Sequence, residues 1–149
     1  MSRYVARPEL AEAKVRGFHD IGEASAATGL SAKMIRRYER VGLVPAAGRT
    51  FAGYRLYAKA DLLRLRFVKR SRTLGFSMKQ IADLLQLWGD SNRPSAQVKK
   101  VAQAHAAELQ ARIRQMQAMQ RTLEDLAGHC EGNLQPKCPI LDDLAGCSR

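Results

Sequence analysis

The chain has 149 residues, 46% of them hydrophobic, and a formal net charge of +11 at pH 7. This length allows one modest core, or a small domain joined to an extended element. No run of about 18 or more apolar residues is present, and the first residues lack the apolar centre of a signal peptide. We therefore expect a cytoplasmic protein that does not span a membrane.

The positive charge lies almost entirely in the N-terminal half. Residues 18–76 carry 12 Lys and Arg against 4 Asp and Glu, whereas residues 77–149 carry 9 against 8. This asymmetry is typical of a nucleic-acid-binding head on a near-neutral body. A basic solvated surface without a partner is the alternative.

Residues 1–17 precede the first clear pattern. Pro8 could begin a short helix, but we expect this segment to be a flexible N-terminal extension without an assigned function. Residues 18–76 then predict a helix-turn-helix. Asp20 is a plausible helix cap, the first helix breaks around Gly29, and Ser31 caps a second helix.

The second helix of this pair is strongly basic. Its first turns would enter the major groove of DNA, where basic side chains contact phosphates and guanine edges. A surface hairpin of helices with solvated charges would give the same pattern. The candidate DNA contacts on this helix are Lys33, Arg36, Arg37 and Tyr38.

A short hairpin is predicted next, over Arg49–Tyr57. Residues 50–51 and 54–57 favour strands, and Ala52-Gly53 favours a turn between them. This pattern indicates a β-wing whose Arg and Tyr side chains could grip phosphates beside the groove. An aromatic pair that pins the hairpin to the domain is the alternative. The candidates here are Arg49, Tyr54, Arg55 and Tyr57.

Two further helices are predicted before a long one. The first covers Ala58–Thr73, with five apolar residues expected to be buried: Leu62, Leu63, Leu65, Phe67 and Val68. Ser77 caps the next helix. Residues 77–94 are predicted to form a linker helix and a hinge, which ends in a turn-rich break. Trp88 is expected to anchor the core or the hinge.

Residues 95–127 predict one long helix for dimerisation. The segment lacks Pro and Gly, and apolar residues recur every seven positions, at Ala102, Leu109, Met116 and Leu123. A rod of roughly 50 Å cannot bury this stripe against a small domain. We therefore expect a homodimer through 95–127, in preference to a monomeric bundle.

Residues 128–149 hold all three cysteines, at positions 130, 138 and 147. A closed zinc site needs four ligands with paired spacing, which this tail lacks. Two thiolates, from Cys130 and Cys138, suit a soft monovalent ion, above all Cu(I). Cys147 is interpreted as a free tail thiol and His129 as a loop residue. The segment is therefore predicted to be a metal-binding loop and tail.

The motifs together resemble the MerR family of transcription regulators. The similarity rests on IGEASAATGLSAKMIRRYERVGL, RTFAGYRLY and LRFVKRSRTLGFS, and it extends from Phe18 to about Gly146. It implies a mainly α protein with a winged helix-turn-helix head, linker helices and a long antiparallel coiled-coil dimerisation helix. By matching position it implies DNA contacts at Lys33, Arg36, Tyr38, Arg49, Tyr54, Arg55 and Arg72.

The tail resembles the copper-responsive, CueR-type branch of that family. This likeness implies that Cys130 and Cys138 hold Cu(I), with Ag(I) or Au(I) as alternatives. The zinc, lead and mercury branches carry a Cys where this chain has Ser95. The implied function is activation of metal-resistance and efflux genes by distortion of double-stranded promoter DNA, so that RNA polymerase can use the promoter.

Other functions remain open at this point. A family member that senses a divalent metal (Zn, Pb or Hg) or redox state is the alternative, although an iron–sulfur cluster would need four ligands. A sensor of organic ligands would need a larger effector domain. An enzyme lacks a supporting motif, and a simple metal carrier would not need the basic head.

Overall fold

The computed structural model describes residues 7–45 and 47–147, and it is mainly helical, as predicted. The chain separates into two compact units that divide between Arg93 and Pro94. Within the described residues the elements are α1 (Leu10–Val15), α2 (Ile21–Thr28), α3 (Ala32–Arg40), β1 (Gly48–Arg49), β2 (Arg55–Leu56), α4 (Lys59–Thr73), α5 (Met78–Gly89), α6 (Ser95–Gly128) and α7 (Pro139–Leu144).

The predicted helix-turn-helix is formed by α2 and α3. The Asp20 carboxylate accepts a hydrogen bond from the Glu23 amide at 2.8 Å and begins α2. Gly29 ends this helix with φ +71°, a conformation that glycine adopts without steric cost. Ser31 then caps α3 through the Met34 amide. Local capping therefore fixes both ends of the turn between the two helices.

The core of the first unit joins α2, α3, α4, α5 and the wing. Its members are apolar side chains from each of these elements, packed to nearly zero exposure. They include Ala24, Ile35, Leu56, Leu65, Val68 and Ile81. Since α3 and β2 share this core, the second helix of the pair and the wing are packed together within the first unit.

The wing is shorter than the sequence predicts. β1 and β2 are antiparallel, with Gly48 opposite Leu56 and Arg49 opposite Arg55. Residues 50 and 51, expected in a strand, lie instead in the turn. Thr50 is 1% exposed, and its hydroxyl accepts a hydrogen bond from the Tyr54 amide at 3.1 Å. This bond acts together with a backbone bond between the same two residues, in which the Thr50 amide donates to the Tyr54 carbonyl at 2.9 Å, and the pair closes the turn.

The N-terminal segment also differs from the expected flexible extension. Residues 10–15 form α1, Ala13 is fully buried, and the Phe51 amide donates to the Pro8 carbonyl at 3.1 Å. The segment is thus packed on the first unit over residues 7–17. The part of the prediction that concerns residues 1–6 lies outside the described residues.

Helices α4 and α5 follow the predicted bounds closely. Leu62, Leu65 and Val68 form the buried stripe of α4, but Leu63, predicted to be buried, is 44% exposed. One residue turns a helix by about 100°, so Leu63 falls off the stripe that its neighbour Leu62 begins. The rings of Phe67 and Trp88 stack at 4.8 Å and join α4 to α5.

The second unit consists of α6, α7 and the loop between them. α6 has 34 residues and a length of about 51 Å. Four of its large apolar side chains are about half exposed or more: Ile113, Met116, Met119 and Leu123. α7 packs on α6 within this unit. Among the described residues, no helix combines the length and the apolar character that a membrane crossing needs.

Candidate nucleic-acid interface and metal-binding loop

Helix α3 has a buried face and a basic exposed face. Ile35 is fully buried, whereas Lys33, Arg36 and Arg37 are exposed. All three cationic side chains lie on the exposed face of α3, because the opposite, apolar face packs against the core. Three of the four predicted side chains on this helix are therefore available to a polyanion.

The two other predicted contacts near α3 are not on the surface. Tyr38 is 3% exposed and Tyr57 is 1% exposed, so both rings belong to the core. Rings buried to this extent serve packing, and they offer DNA little surface in this structure. The prediction differed from the structure because a tyrosine can serve either purpose. Its ring supplies a large apolar area for the core and its hydroxyl can bind phosphate, and the sequence pattern does not distinguish the two.

The wing presents a mixed set of side chains. Tyr54 is 59% exposed, and Arg49 is exposed while its Nη1 donates to the Gly53 carbonyl at 2.9 Å. This bond crosses the turn and stiffens the tip of the hairpin. Arg55 is half-buried, and its Nε lies 3.2 Å from the Glu39 carboxylate. The wing is thus stiffened by a bond across its turn and attached to α3 by the half-buried Arg55.

Glu39 connects α3 to the wing, and it was not among the predicted residues. Its Oε1 accepts from the Ala47 amide at 3.2 Å, while its Oε2 accepts from Arg55 Nε at 3.2 Å and from the Tyr57 hydroxyl at 3.3 Å. One carboxylate therefore ties three points of the wing to the second helix of the pair. The only sequence signal was an acidic residue within the basic helix AKMIRRYER.

The Tyr57 hydroxyl is held as a neutral donor. Burial, followed by the nearby negative charge of Glu39, raises the pKa of Tyr57 to about 12. A phenolate beside this carboxylate would place two negative charges in a poorly solvated site. The bond between Glu39 of α3 and Tyr57, which directly follows β2, consequently persists throughout the physiological pH range.

Several cations of α4 have structural partners. Arg64 Nε donates to the Leu43 carbonyl at 3.2 Å, and Arg66 donates to the Ala27 carbonyl at 3.1 and 3.2 Å. Lys69 Nζ lies 3.4 Å from the Gly29 carbonyl. Arg72, a predicted DNA contact, is exposed, and its Nη1 donates to the Phe76 carbonyl at 3.1 Å. α4 thus stabilises the helix-turn-helix and also presents one candidate contact.

The predicted metal ligands bracket the loop after α6. Cys130 follows α6, and Cys138 is the N-cap of α7; both are half-buried and both are free thiols. Within the loop, Asn133 donates to the Glu131 carboxylate at 2.8 Å and accepts from the Gln135 amide at 3.0 Å. These local bonds order the segment between the two sulfur atoms.

The other candidate ligands have different surroundings. Cys147 is exposed, and His129 Nδ1 lies 2.6 Å from the Asp125 carbonyl at the end of α6. In the part of the chain that the structure describes, no group of three or more His, Cys, Asp or Glu side chains converges. The donors present, two partly protected thiols, fit a soft ion of low coordination number.

The sequence matches two family models that together span residues 20–126. Residues 20–88 match the model described as MerR HTH family regulatory protein, and residues 62–126 match the model described as MerR, DNA binding. A curated relative, the heavy metal-dependent transcription regulator 2 of Rhizobium meliloti (strain 1021), is 52% identical over 87% of this chain and 88% of its own length. The chain belongs to the MerR family.

Other members of the MerR family are similar over nearly the same region. The HTH-type transcriptional regulator CueR of Salmonella typhimurium is 38% identical, with 86% of this chain and 93% of that protein covered. The crystal structure of the regulator PbrR691 from Ralstonia metallidurans CH34, in complex with lead(II), superposes with a TM-score of 0.74 at 29% identity. That match covers 85% of this chain and 98% of the other.

Membership of the MerR family confirms three predictions. The fold is the mainly α, winged helix-turn-helix type, and the chain is a DNA-binding transcription regulator. It is not an enzyme, because its homologues are regulators. The assignment of individual DNA contacts and metal ligands stays a prediction.

Proposed function

We propose that this MerR-family regulator is a metal-responsive activator, which takes Cu(I), or Ag(I) or Au(I), at Cys130 and Cys138. The observation that carries the proposal is the pair of half-buried free thiols that brackets the loop between α6 and α7. Similarity to a CueR and to a heavy metal-dependent regulator supports a metal as the effector.

The choice of a monovalent ion follows from donor number and softness. Thiolates prefer soft ions, and Cu(I) tolerates low coordination, whereas a tetrahedral divalent ion needs further ligands. The chain has three cysteines in total, and the third, Cys147, is exposed near the C-terminus. The lead(II) complex of a 29% identical relative makes a divalent ion the alternative.

The proposed protein is a homodimer through residues 95–127. The exposed stripe of Ile113, Met116, Met119 and Leu123 supplies the apolar surface that a second copy of α6 would cover. Antiparallel pairing would repeat the basic head at each end of the dimer, which matches a promoter site with two-fold symmetry.

The proposed DNA interface is smaller than the sequence-based set. Side chains of α3, the wing and the end of α4 contact phosphates and base edges, while Glu39 and Tyr57 hold the wing against α3. The contacts that we propose are Lys33, Arg36, Arg37, Arg49, Tyr54, Arg55 and Arg72. Acting in the cytoplasm, the dimer would distort promoter DNA so that RNA polymerase can use it.

An anaerobic titration of the reduced protein with Cu(I) against a competing chelator tests the metal site, followed by the same titration with Zn(II). Cys130→Ser and Cys138→Ser should each abolish tight Cu(I) binding, because one thiolate alone cannot compete. Cys147→Ser is the matched control and should bind as the unaltered protein does.

Two results would contradict the proposal. Cu(I) held tightly after either Cys130→Ser or Cys138→Ser would rule out the two-thiolate site. Zn(II) bound more tightly than Cu(I) would favour the divalent alternative, in which the partner subunit or Cys147 completes the ligand set.

A further inference from the structure

The N-terminal segment, residues 7–17, is bonded directly to the turn of the wing. The Pro8 carbonyl accepts a hydrogen bond from the Phe51 amide at 3.1 Å. Phe51 lies in that turn between Arg49 and Tyr54, two of the proposed phosphate contacts. The backbone of the N-terminal segment therefore adjoins the surface that is proposed to meet DNA.

A second tie lies immediately after this segment. His19 and Tyr57 exchange two backbone hydrogen bonds, each 2.8 Å long, as an antiparallel bridge. Tyr57 directly follows β2. The wing is thus held at its turn by Pro8 and at the end of its second strand by His19, so the chain before α2 restrains the hairpin at two points.

Helix α1 is fixed to the first unit by burial and by charge. Ala13 is fully buried, and Lys14 Nζ lies 3.0 Å from Asp20 Oδ2 and 2.6 Å from Glu23 Oε1. Bonds to Glu23 and then Asp20 raise the pKa of Lys14, so this clamp stays charged. Asp20 and Glu23 belong to the beginning of α2, which places α1 beside the helix-turn-helix.

The cations of the N-terminal segment have different surroundings. Lys14 is bound by two carboxylates, and Arg16 Nη2 lies 2.5 Å from Glu12 Oε1. Arg7, by contrast, is exposed and directly precedes Pro8 in the chain. Consecutive Cα atoms are about 3.8 Å apart, so the backbone of Arg7 lies beside the wing turn.

We propose that residues 7–17 are an accessory part of the DNA interface: α1 and Pro8 brace the wing, and the Arg7 guanidinium binds a backbone phosphate next to the wing contacts. The inference rests on the proposed DNA interface, which it extends at the wing. A guanidinium matches phosphate oxygens in charge and geometry, and such a contact adds affinity without reading sequence.

The test measures binding of the full-length protein to a duplex selected by that protein from a random-sequence pool. Affinity is followed by fluorescence anisotropy over a range of KCl concentrations. Each lost phosphate contact should reduce the slope of log K against log [salt] by about 0.9, and a dimer should lose about twice that. Arg7→Gln is expected to show this loss. Arg112→Gln, an exposed arginine on α6, is the matched control for one removed charge.

Two further variants separate the possible failures. Ala13→Asp places a charge in the buried face of α1, and it should lose as much salt slope as Arg7→Gln does. The double variant should lose no more slope than either single variant, because both changes remove the same phosphate contact. Arg36→Gln reports on α3. If Arg36→Gln weakens binding while Arg7→Gln behaves as Arg112→Gln does, the accessory role is wrong. If Arg36→Gln also leaves binding unchanged, the proposed DNA interface itself fails, and the inference fails with it.

Discussion

The Glu39 carboxylate should stabilise the first unit by tying the wing to α3. Glu39→Gln keeps the shape of the side chain but removes the charge that faces Arg55 and the Tyr57 hydroxyl. Arg55 and Glu39 are only 27% and 12% exposed, so water replaces the lost interaction poorly. A hydrogen bond between charged groups is worth about 1.5–3 kcal/mol, and we expect a loss of about 2 kcal/mol.

A double-mutant cycle with Tyr57→Phe isolates the shared bond. The hydroxyl lies 3.3 Å from Glu39 Oε2, a long contact, so Tyr57→Phe should cost about 1 kcal/mol. The double variant should cost less than the sum of the single variants by about 0.5–1 kcal/mol, because both remove one interaction.

Urea unfolding at one fixed protein concentration measures these differences, since the stability of a dimer depends on concentration. Trp88, the only tryptophan, lies in the same unit and reports its unfolding by fluorescence. Glu124→Gln, which changes an exposed carboxylate on α6, is the matched control and should stay within about 0.5 kcal/mol of the unaltered protein. An unfolding midpoint for Glu39→Gln equal to that of Glu124→Gln would refute the reasoning.

Three other predictions concern the Tyr57 hydroxyl, the Asp20 cap of α2 and the exposed apolar stripe of α6. Between pH 10 and the pKa of Tyr57 near 12, the free energy of unfolding should fall by up to about 1.4 kcal/mol per pH unit. The reason is that Tyr57 ionises in this range only in the unfolded chain. An equal alkaline loss of stability in Tyr57→Phe would count against this explanation. The pKa of Asp20 is lowered first by the Glu23 amide and then by Lys14, so its carboxylate should stabilise the fold above its ordinary pKa of 3.8 and lose that effect as the pH falls. Asp20→Ala should cost about 1 kcal/mol at neutral pH, and its urea midpoint should decrease less at acid pH than that of the unaltered protein. Unchanged acid sensitivity would disprove this. Met116→Glu places a charge in the exposed apolar stripe of α6, so it should raise the dimer dissociation constant in analytical ultracentrifugation by at least about tenfold. Gln117→Glu adds the same charge beside the stripe and should dimerise normally. Equal dissociation constants for the two variants would exclude this stripe as the interface.

Local signals accounted for most of the helices. Asp20, Ser31 and Ser77 cap helices as predicted, since a cap depends on residues within three positions of one another. The long helix follows from its composition and its seven-residue period. The family motifs and the spacing of Cys130 and Cys138 are likewise properties of the linear chain.

Only the tertiary structure decided which side chains of the head reach the surface. Tyr38 and Tyr57 were interpreted as DNA contacts but are buried, while Leu63 was interpreted as core but is exposed. Burial depends on how α3, α4 and the wing pack together, and that packing is not encoded in the pattern of any one segment.

The tertiary structure also decided the long-range bonds. Glu39 reaches Arg55 and Tyr57, which are 16 and 18 positions away, and Pro8 reaches Phe51. Such bonds form only when separate elements meet at one register, so they leave no period or motif in the sequence. The sequence by itself therefore determined the family, the helices and the two thiols, whereas the fold determined how the wing is held and which cations remain exposed for DNA.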